Sequence, residues 1–417
     1  MPQIDDRPTD ERDAELEVFD AFAVEDSIIG DVRDPYPRIH RQREEGRVQR
    51  LSPTWQMGMI DDDAPVFLVN GGPEVEAVLK DAATYSSKIL NDTMGPVMGH
   101  TILGMDEPEH LRMRSLVAQA FRIRALTRWE SELISPLVDE LIDGFAAQGR
   151  ADLVREFTIQ FPMKVIARIL GLPRKDWADF MRLSLELISI TVNWDRAIGA
   201  SRTLRNYFTD ILEARRAQPQ DDLISELAQA EVDGHTLTDD EILPFLNLLL
   251  PAGAETTLRS LGNLLLALLS EPSRWDRIRA DRNQLHDAIE EALRWEAPVQ
   301  QTAREIMVDG VVIGDVPVAK GEMVNVSMGA ANRDETKYDD PDRFDIHRDG
   351  PPHLAFGGGA HYCLGAHLGR LETTVALNAM LDRLEDLRLE PGDKDPHVHG
   401  SAFRSPTSLP VRFKPGR

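Results

Sequence analysis

The sequence predicts a mainly α-helical protein with small β-sheets, built as a single large domain. Apolar residues recur with a helical period through most of the chain after residue 72. The β signals are short and scattered, and neither a repeat nor a Gly/Ser-rich linker divides the 417 residues. Helix should therefore predominate, with short strands gathered into minor sheets.

The first half of the chain predicts the following elements in order. Residues 1–25 are acidic and aperiodic, which predicts a flexible N-terminal arm ahead of a domain over 26–417. Short apolar runs predict strands over 48–51, 55–60 and 66–69, followed by a turn at 70–72. Amphipathic periodicity then predicts helices over 73–80, 107–118, 125–148, 154–170, 176–192 and 197–217.

The second half opens with a helix start signal. Thr238 and Glu241 have the spacing of a capping box, and a long apolar helix should run from there to about residue 269. A further helix is predicted over 284–295, halted by Pro298. Alternating apolar residues with Gly and Pro turns predict a small sheet over 308–326, and the last long helix covers 364–384.

Composition and charge narrow the class of protein. The 42% of apolar residues suits a globular chain with a sizeable core, and the formal net charge of −24 argues against a nucleic-acid partner. Cys363 is the only cysteine, which excludes an intramolecular disulfide and a four-cysteine metal site. The apolar stretches are too short for a membrane anchor, and the first residues lack a signal-peptide pattern. We therefore expect a soluble, cytoplasmic protein.

The most informative segment surrounds this single cysteine. A Gly-rich turn leads from Phe356 through Cys363 to Gly365 and into a helix. N–H groups at a helix N-terminus favour a thiolate, the form that a metal-ligating sulfur needs. The alternative is a buried free cysteine, which is common in protein cores. A phosphate loop is excluded, because neither of its glycine patterns fits this segment.

This segment resembles the haem-binding loop of the cytochrome P450 family. Its pattern F-G-x-G-x-H-x-C-x-G matches residues 356–365 at every fixed position. The resemblance implies haem b as the cofactor, with the thiolate of Cys363 as the axial ligand of the iron. It further implies that Phe356, Gly357 and Gly365 contact the haem.

A second family motif lies upstream. Glu291 and Arg294 match the family's E-x-x-R helix, and residues three apart share a helix face. By itself this pattern is equally typical of an ordinary surface ion pair. The resemblance implies a structural role, with Arg343 of the segment 340–344 joining the pair.

A third motif interrupts the long apolar helix. Residues 252–257 resemble the family's oxygen-activation motif, which implies that Ala252 and Gly253 lie next to the haem. It implies that Thr256 is the hydroxyl on the oxygen side and that Glu255 relays protons. Two alternatives remain: a solvent-facing polar stripe, or a Thr256 hydroxyl that only bonds a helix carbonyl.

The family also predicts partners for the haem propionates. Five basic residues match such positions: His110, Arg114, Arg304, His353 and His361. A separate pair, His397 and His399, has a spacing compatible with metal ligation, but the sequence suggests no third ligand for it.

The resemblance implies a monomeric monooxygenase that inserts one atom of O₂ into an apolar small molecule. The predicted pocket stretches are largely aliphatic: 89–103, 187–192, 249–255, 299–302 and 402–403. Electrons from NAD(P)H should arrive through a separate ferredoxin reductase and ferredoxin, steered to an arginine cluster at 112, 114, 122, 124 and 128. The alternatives are a peroxide-using haem-thiolate enzyme and a non-catalytic haem-binding sensor or carrier.

Overall fold

The computed structural model describes residues 30–51, 66–191, 193–232, 234–392 and 395–415. The predicted arm over 1–25, the strand over 55–60 and the last residue of the helix predicted over 176–192 lie outside these ranges. The domain boundary near residue 26 therefore stays a prediction.

Helices make up most of the described chain, as the sequence predicts. They are α1 (Tyr36–Glu45), α2 (Gly72–Lys80), α3 (Lys88–Met98), α4 (Glu109–Val117), α5 (Ile123–Trp129), α6 (Ser135–Ala146), α7 (Gln160–Ile169), α8 (Trp177–Ile188), α9 (Trp194–Ala217), α10 (Leu223–Gln229), α11 (Asp239–Leu249), α12 (Thr256–Leu269), α13 (Pro272–Ala280), α14 (Leu285–Trp295), α15 (Met328–Asn332) and α16 (Ala366–Arg383). None of the helices in the described ranges combines the length and hydropathy needed to cross a bilayer.

The strands form one five-stranded sheet and several smaller ones. They are β1 (Val48–Leu51), β2 (Val66–Val69), β3 (Tyr85–Ser86), β4 (Arg150–Asp152), β5 (Glu231–Val232), β6 (His235–Thr236), β7 (Gln301–Ile306), β8 (Val311–Ile313), β9 (Val316–Val318), β10 (Met323–Ser327), β11 (Arg388–Leu389) and β12 (Pro410–Arg412). The large sheet has the order β1-β2-β10-β7-β3, and its β2–β10 pair is parallel. A second sheet joins β11, β12 and β4.

Most predicted elements are confirmed, and the differences have physical causes. The sheet predicted over 308–326 divides: β8 and β9 form a hairpin, while β10 pairs with β2 and β7 of the large sheet. Helices α1, α3, α10, α13 and α15 were not predicted. In α3, Gly95 and Pro96 weaken the helical pattern, so the stretch resembles a loop in the sequence.

The long helix predicted from Thr238 onwards is present and locally widened. The capping box is formed, with the Thr238 N–H donating to Glu241 Oε2 at 2.9 Å. Between α11 and α12 the chain makes a π-helical turn over Leu250–Glu255. Pro251 accounts for this turn, because its missing N–H interrupts the regular hydrogen-bond pattern.

Inside the helical core, a buried carboxylate connects α14 to a distant loop. Arg294 donates to both oxygens of Glu291, at 2.7 and 2.8 Å. Arg348 Nε donates to Glu291 Oε1 at 3.2 Å, whereas the side chain of Arg343 is 66% exposed. The prediction that Arg343 completes the pair is therefore wrong. Arg343 contributes only its carbonyl oxygen, which accepts from Arg294 and Arg348.

We expect Arg348→Gln to lower the free energy of unfolding by about 2–3 kcal/mol, because a charged donor to Glu291 and to backbone carbonyls is lost. Arg343→Gln is the matched control and should change stability by no more than about 0.5 kcal/mol. Urea unfolding followed by circular dichroism measures both variants. Equal losses would show that Arg348 is not the third member of this ion cluster.

Candidate functional site

Cys363 lies in the loop between the sheet region and α16, immediately before that helix begins. Its N–H donates to the carbonyl oxygen of Phe356 at 2.9 Å, which closes the loop. The N–H groups of Gly365 and Ala366 point at its sulfur. The loop thus presents a single sulfur at the N-terminus of an 18-residue helix.

The protonation of this sulfur is set by opposing effects. Burial raises the pKa of the Cys363 thiol, and it outweighs the N–H groups and the guanidiniums of Arg114 and Arg370, which lower it. The N–H groups of Gly365 and Ala366 favour the thiolate as expected, but burial acts more strongly in the opposite direction. A thiolate here needs a further positive charge at the sulfur, such as a ligated metal ion.

Two glycines shape the loop for different reasons. Gly357 and Gly359 both have positive φ, +71° and +63°. A Cβ at Gly359 would lie only 2.4 Å from the carbonyl oxygen of Leu79, whereas a Cβ at Gly357 would have its nearest neighbour at 3.8 Å. Gly359 therefore lets the loop pack against the end of α2.

Basic side chains converge near the cysteine loop. The rings of His110 and His361 lie 4.2 Å apart. Burial lowers the pKa of His361 to about 3, helped by the positive charges of His110, Arg304 and Arg114. These four predicted residues therefore act on one region of the protein.

The cluster is only partly matched by acids: His110 Nδ1 lies 3.3 Å from Glu107 Oε1, and Asp106 acts on Arg304 and His361. The Nε2 atom of His110 is buried without a hydrogen-bond partner in the described part of the chain. Arg304 is 5% exposed, and its hydrogen bonds go to the neighbouring Thr302 and Ala303. Burial lowers the pKa of Arg304 to about 10, with Asp106 opposing. Buried donors of this kind fit the carboxylates of an anionic ligand such as haem.

His353 faces a different group. Its Nε2 atom lies 3.3 Å from Glu290 Oε2, and Glu290 also accepts two hydrogen bonds from Arg370 at 2.6 and 2.7 Å. The guanidinium of Arg370 stacks 4.4 Å from the centre of the Phe356 ring. The ring of His353 also lies 5.7 Å from the ring of Phe356, and its role at a propionate stays a prediction.

The polar residues of the long helix are divided between its faces. Ala252 is exposed and Thr256 half-buried, one turn apart, and the Thr256 hydroxyl donates to the Ala252 carbonyl at 2.8 Å. Thr257 is buried and donates to the Gly253 carbonyl at 3.0 Å. Of these two threonines, only Thr256 has its hydroxyl on a partly accessible face. The bond to Ala252 is the carbonyl contact that the sequence left open as an alternative.

Gly253 has a packing role in the structure. A Cβ at this position would lie 3.2 Å from Ile166 Cδ1 in α7. Gly253 therefore allows close packing of the long helix on α7, and its place next to the haem stays a prediction.

Glu255 has a partner that the sequence reasoning missed. Its carboxylate is buried and accepts from Arg259, with Nε at 3.0 Å and Nη2 at 2.9 Å. The Arg259 guanidinium lies 5.6 Å from the centre of the Phe403 ring and donates to Ser405 Oγ at 3.4 Å. The sequence could have predicted this ion pair, because an arginine four residues after a glutamate lies on the same face of a helix.

The predicted pocket stretches are only partly brought together. Val299 and Phe403 form an antiparallel bridge, so 299–302 and 402–403 are neighbours. Leu103 is 37% exposed. Met98 and Leu250, which the sequence also suggests for the pocket, are buried in the helical core.

Comparison with known proteins gives a consistent result. The family model described as Cytochrome P450 matches residues 163–410. The chain is 35% identical over 402 residues to cytochrome P450 monooxygenase PikC of Streptomyces venezuelae, covering 92% of each chain. It is 33% identical over 390 residues to vitamin D(3) 25-hydroxylase of Pseudonocardia autotrophica, covering 92% of this chain and 94% of the relative.

A solved structure shares the fold. The chain resembles CYP109E1 of Bacillus megaterium in complex with testosterone, with a TM-score of 0.82 and 31% sequence identity. The match covers 91% of this chain and 99% of the other. The predicted fold class is thereby confirmed.

We expect Gly359→Ala to destabilise the protein more than Gly357→Ala. Both variants place an alanine at positive φ, at a cost of about 1–3 kcal/mol, but only the Gly359 variant also meets a backbone oxygen. Urea unfolding compares the two variants directly. A loss at Gly359 no larger than that at Gly357 would contradict the close packing of the loop on α2.

Proposed function

This chain belongs to the cytochrome P450 family, and from that premise we propose that its substrate is an apolar, fairly bulky small molecule. The enzyme is a haem-thiolate monooxygenase that hydroxylates or epoxidises its substrate. Two observations support the substrate class: the aliphatic residues of the pocket stretches, and the vitamin D(3) and testosterone in the names of its relatives. Those names also favour a monooxygenase over the peroxide-using and non-catalytic alternatives.

The observation that carries the proposal is one sulfur beside a cluster of basic side chains, in which the Nε2 atom of His110 is buried without a hydrogen-bond partner among the described residues. We propose that Cys363 ligates the iron and that His110, Arg114, Arg304 and His361 hold the propionates. Bound haem supplies the activation of O₂ and the insertion of one oxygen atom. The buried, unpartnered Nε2 of His110 and the buried guanidinium of Arg304 support this arrangement.

We propose that Thr256 and Glu255 manage protons on the other side of the haem. The Thr256 hydroxyl both donates and accepts hydrogen bonds, and it lies on the accessible face of the helix. The buried carboxylate of Glu255 is held by Arg259 directly next to Thr256 in the chain, where we propose that it relays protons.

Electrons are proposed to come from a separate ferredoxin with its reductase. Of the five arginines suggested for docking, Arg112 pairs with Glu241, and Arg128 pairs with Asp221 and Glu226. Arg122 and Arg124 are exposed and form no ion pair with any described residue. They flank Ile123, which is 82% exposed. We therefore narrow the docking patch to residues 122–124 together with Arg114 and Tyr362.

The docking patch contacts the cysteine loop through Arg114. Arg114 Nη2 donates to the carbonyl oxygen of Tyr362 at 2.7 Å, and Tyr362 directly precedes Cys363. A basic rim around an exposed apolar residue suits an acidic partner. A monomeric enzyme in the cytoplasm stays a prediction.

We expect Thr256→Ala to uncouple NAD(P)H consumption from product formation, because proton delivery loses its hydroxyl. Alanine is a good helix former, so fold and haem content should be retained. A substrate is first chosen from a panel by its low- to high-spin optical shift. Product and peroxide formed per NAD(P)H are then measured with ferredoxin and reductase.

Thr257→Ala is the matched control for this experiment, since it removes the adjacent hydroxyl on the buried face. In this control variant, the amount of product formed per NAD(P)H consumed should equal that of the wild type. Unchanged coupling in the Thr256 variant would mean that its hydroxyl only bonds the helix carbonyl. Product from peroxide but never from reductase and ferredoxin would instead favour the peroxide-using alternative.

We expect Arg122→Glu to slow reduction by ferredoxin about threefold or more at low ionic strength, because steering to the patch is weakened. Lys320→Glu, in the exposed turn between β9 and β10, carries the same change of charge and serves as the control. Stopped-flow reduction at several salt concentrations measures both. Reduction rates that do not depend on salt concentration and are equal in the two variants would rule out this docking patch.

A further inference from the structure

Three side chains with metal-ligating atoms meet on the surface away from the cysteine loop. His397 and His399 lie two residues apart in an extended segment, so their side chains share one side, and their rings stack at 4.0 Å. Asp31, which precedes them by 366 residues, lies opposite. Its Oδ1 atom is 2.9 Å from His397 Nε2 and 3.3 Å from His399 Nδ1. The third ligand that the sequence did not suggest is therefore present.

The spacing of these atoms suits a small divalent cation. Zinc lies about 2.0–2.2 Å from imidazole nitrogens and carboxylate oxygens. In tetrahedral geometry, this places neighbouring ligand atoms about 3.3–3.5 Å apart. The three ligand atoms here all lie within 4.8 Å of one another. Shifts of a few tenths of an ångström at the shortest contact would accommodate the ion.

Neighbouring groups already orient two of the ligands. His397 Nδ1 lies 2.6 Å from the carbonyl oxygen of Asp395, which can only accept, so Nδ1 carries the proton. Arg33 Nε donates to Asp31 Oδ2 at 2.8 Å and leaves Oδ1 facing the imidazoles. Contacts of this kind from outside the coordination sphere fix the ligating atom of a histidine or carboxylate in metal sites.

This orientation brings two electron pairs together. In neutral His397 the proton on Nδ1 leaves a lone pair on Nε2, and this lone pair points at the carboxylate oxygen of Asp31. A metal ion at this position would accept both electron pairs. The second imidazole at the same oxygen is what distinguishes this cluster from a simple ion pair.

We propose that Asp31, His397 and His399 form a zinc site with water in its fourth position. Imidazole nitrogens favour zinc over magnesium or calcium, which prefer oxygen ligands. Asp31 is 43% exposed on its side chain, so solvent reaches the site and can supply the fourth ligand.

The site would connect two distant parts of the chain. Arg404 already donates to the carbonyl oxygens of Val32 and Arg33, both at 2.8 Å. His399 pairs through its backbone with Ser405, two residues after Phe403. A bound ion would therefore hold residues 31–33 against the loop 397–405, whose Phe403 belongs to the proposed pocket. The bound ion would restrict the motion of the loop 397–405, because it joins two segments that are far apart in the sequence.

Calorimetric titration of chelator-treated, haem-loaded enzyme with Zn²⁺ tests the proposal. We expect one equivalent of tight binding in the wild type and its loss in Asp31→Asn, His397→Gln and His399→Gln. His235→Gln, an exposed histidine in β6, is the matched control and should retain binding. Mg²⁺ should not bind to the wild type. The haem absorption spectrum verifies that each variant is folded.

X-ray absorption at the zinc edge provides a second measurement on the wild type. It should show nitrogen and oxygen neighbours at about 2.0–2.2 Å, with outer scattering from two imidazoles. No saturable binding to the wild type would overturn the proposal and leave a protonated ion pair as the explanation. Binding that persists in all three ligand variants would also overturn it.

Discussion

The buried carboxylate of Glu291 is the constraint on which the arrangement of the site depends. An ionised group in the interior must be paired and hydrogen-bonded, since an unpaired charge there costs several kcal/mol. Three donors meet this need: Arg294, Arg348 and the N–H of Asp345 at 2.7 Å. Two of them come from the segment 345–348, so satisfying the carboxylate holds that segment against α14. The chain then enters the cysteine loop from a defined position.

Burial at the haem site disfavours both positively and negatively charged side chains. Burial raises the pKa of the Cys363 thiol and lowers the pKa values of Arg304 and His361, so both signs of charge are disfavoured there. A ligand with a cationic centre and anionic edges stabilises the thiolate and the basic side chains together. Haem is such a ligand, with iron at its centre and carboxylates at its edge. The protein of net charge −24 therefore gathers basic side chains where this ligand needs them.

The sequence by itself determined the features that depend on neighbouring residues. Helical periodicity, the capping box at Thr238 and the glycine turn before Cys363 all arise from interactions within a few residues, so a linear pattern reveals them. The helix-rich fold and the family followed from these local patterns. The π-helical turn at Leu250–Glu255 lies within the long helix that the sequence predicts and coincides with Pro251.

Tertiary structure alone decided which of several similar side chains reaches a shared site. Arg348 and not Arg343 reaches Glu291, and His361 and not His353 lies beside His110. Asp31 meets the histidines at 397 and 399 across 366 residues. Side-chain direction depends on how each segment enters the core, and this is set by packing and by buried charges far away in the chain. Residue type and spacing carry no record of that direction.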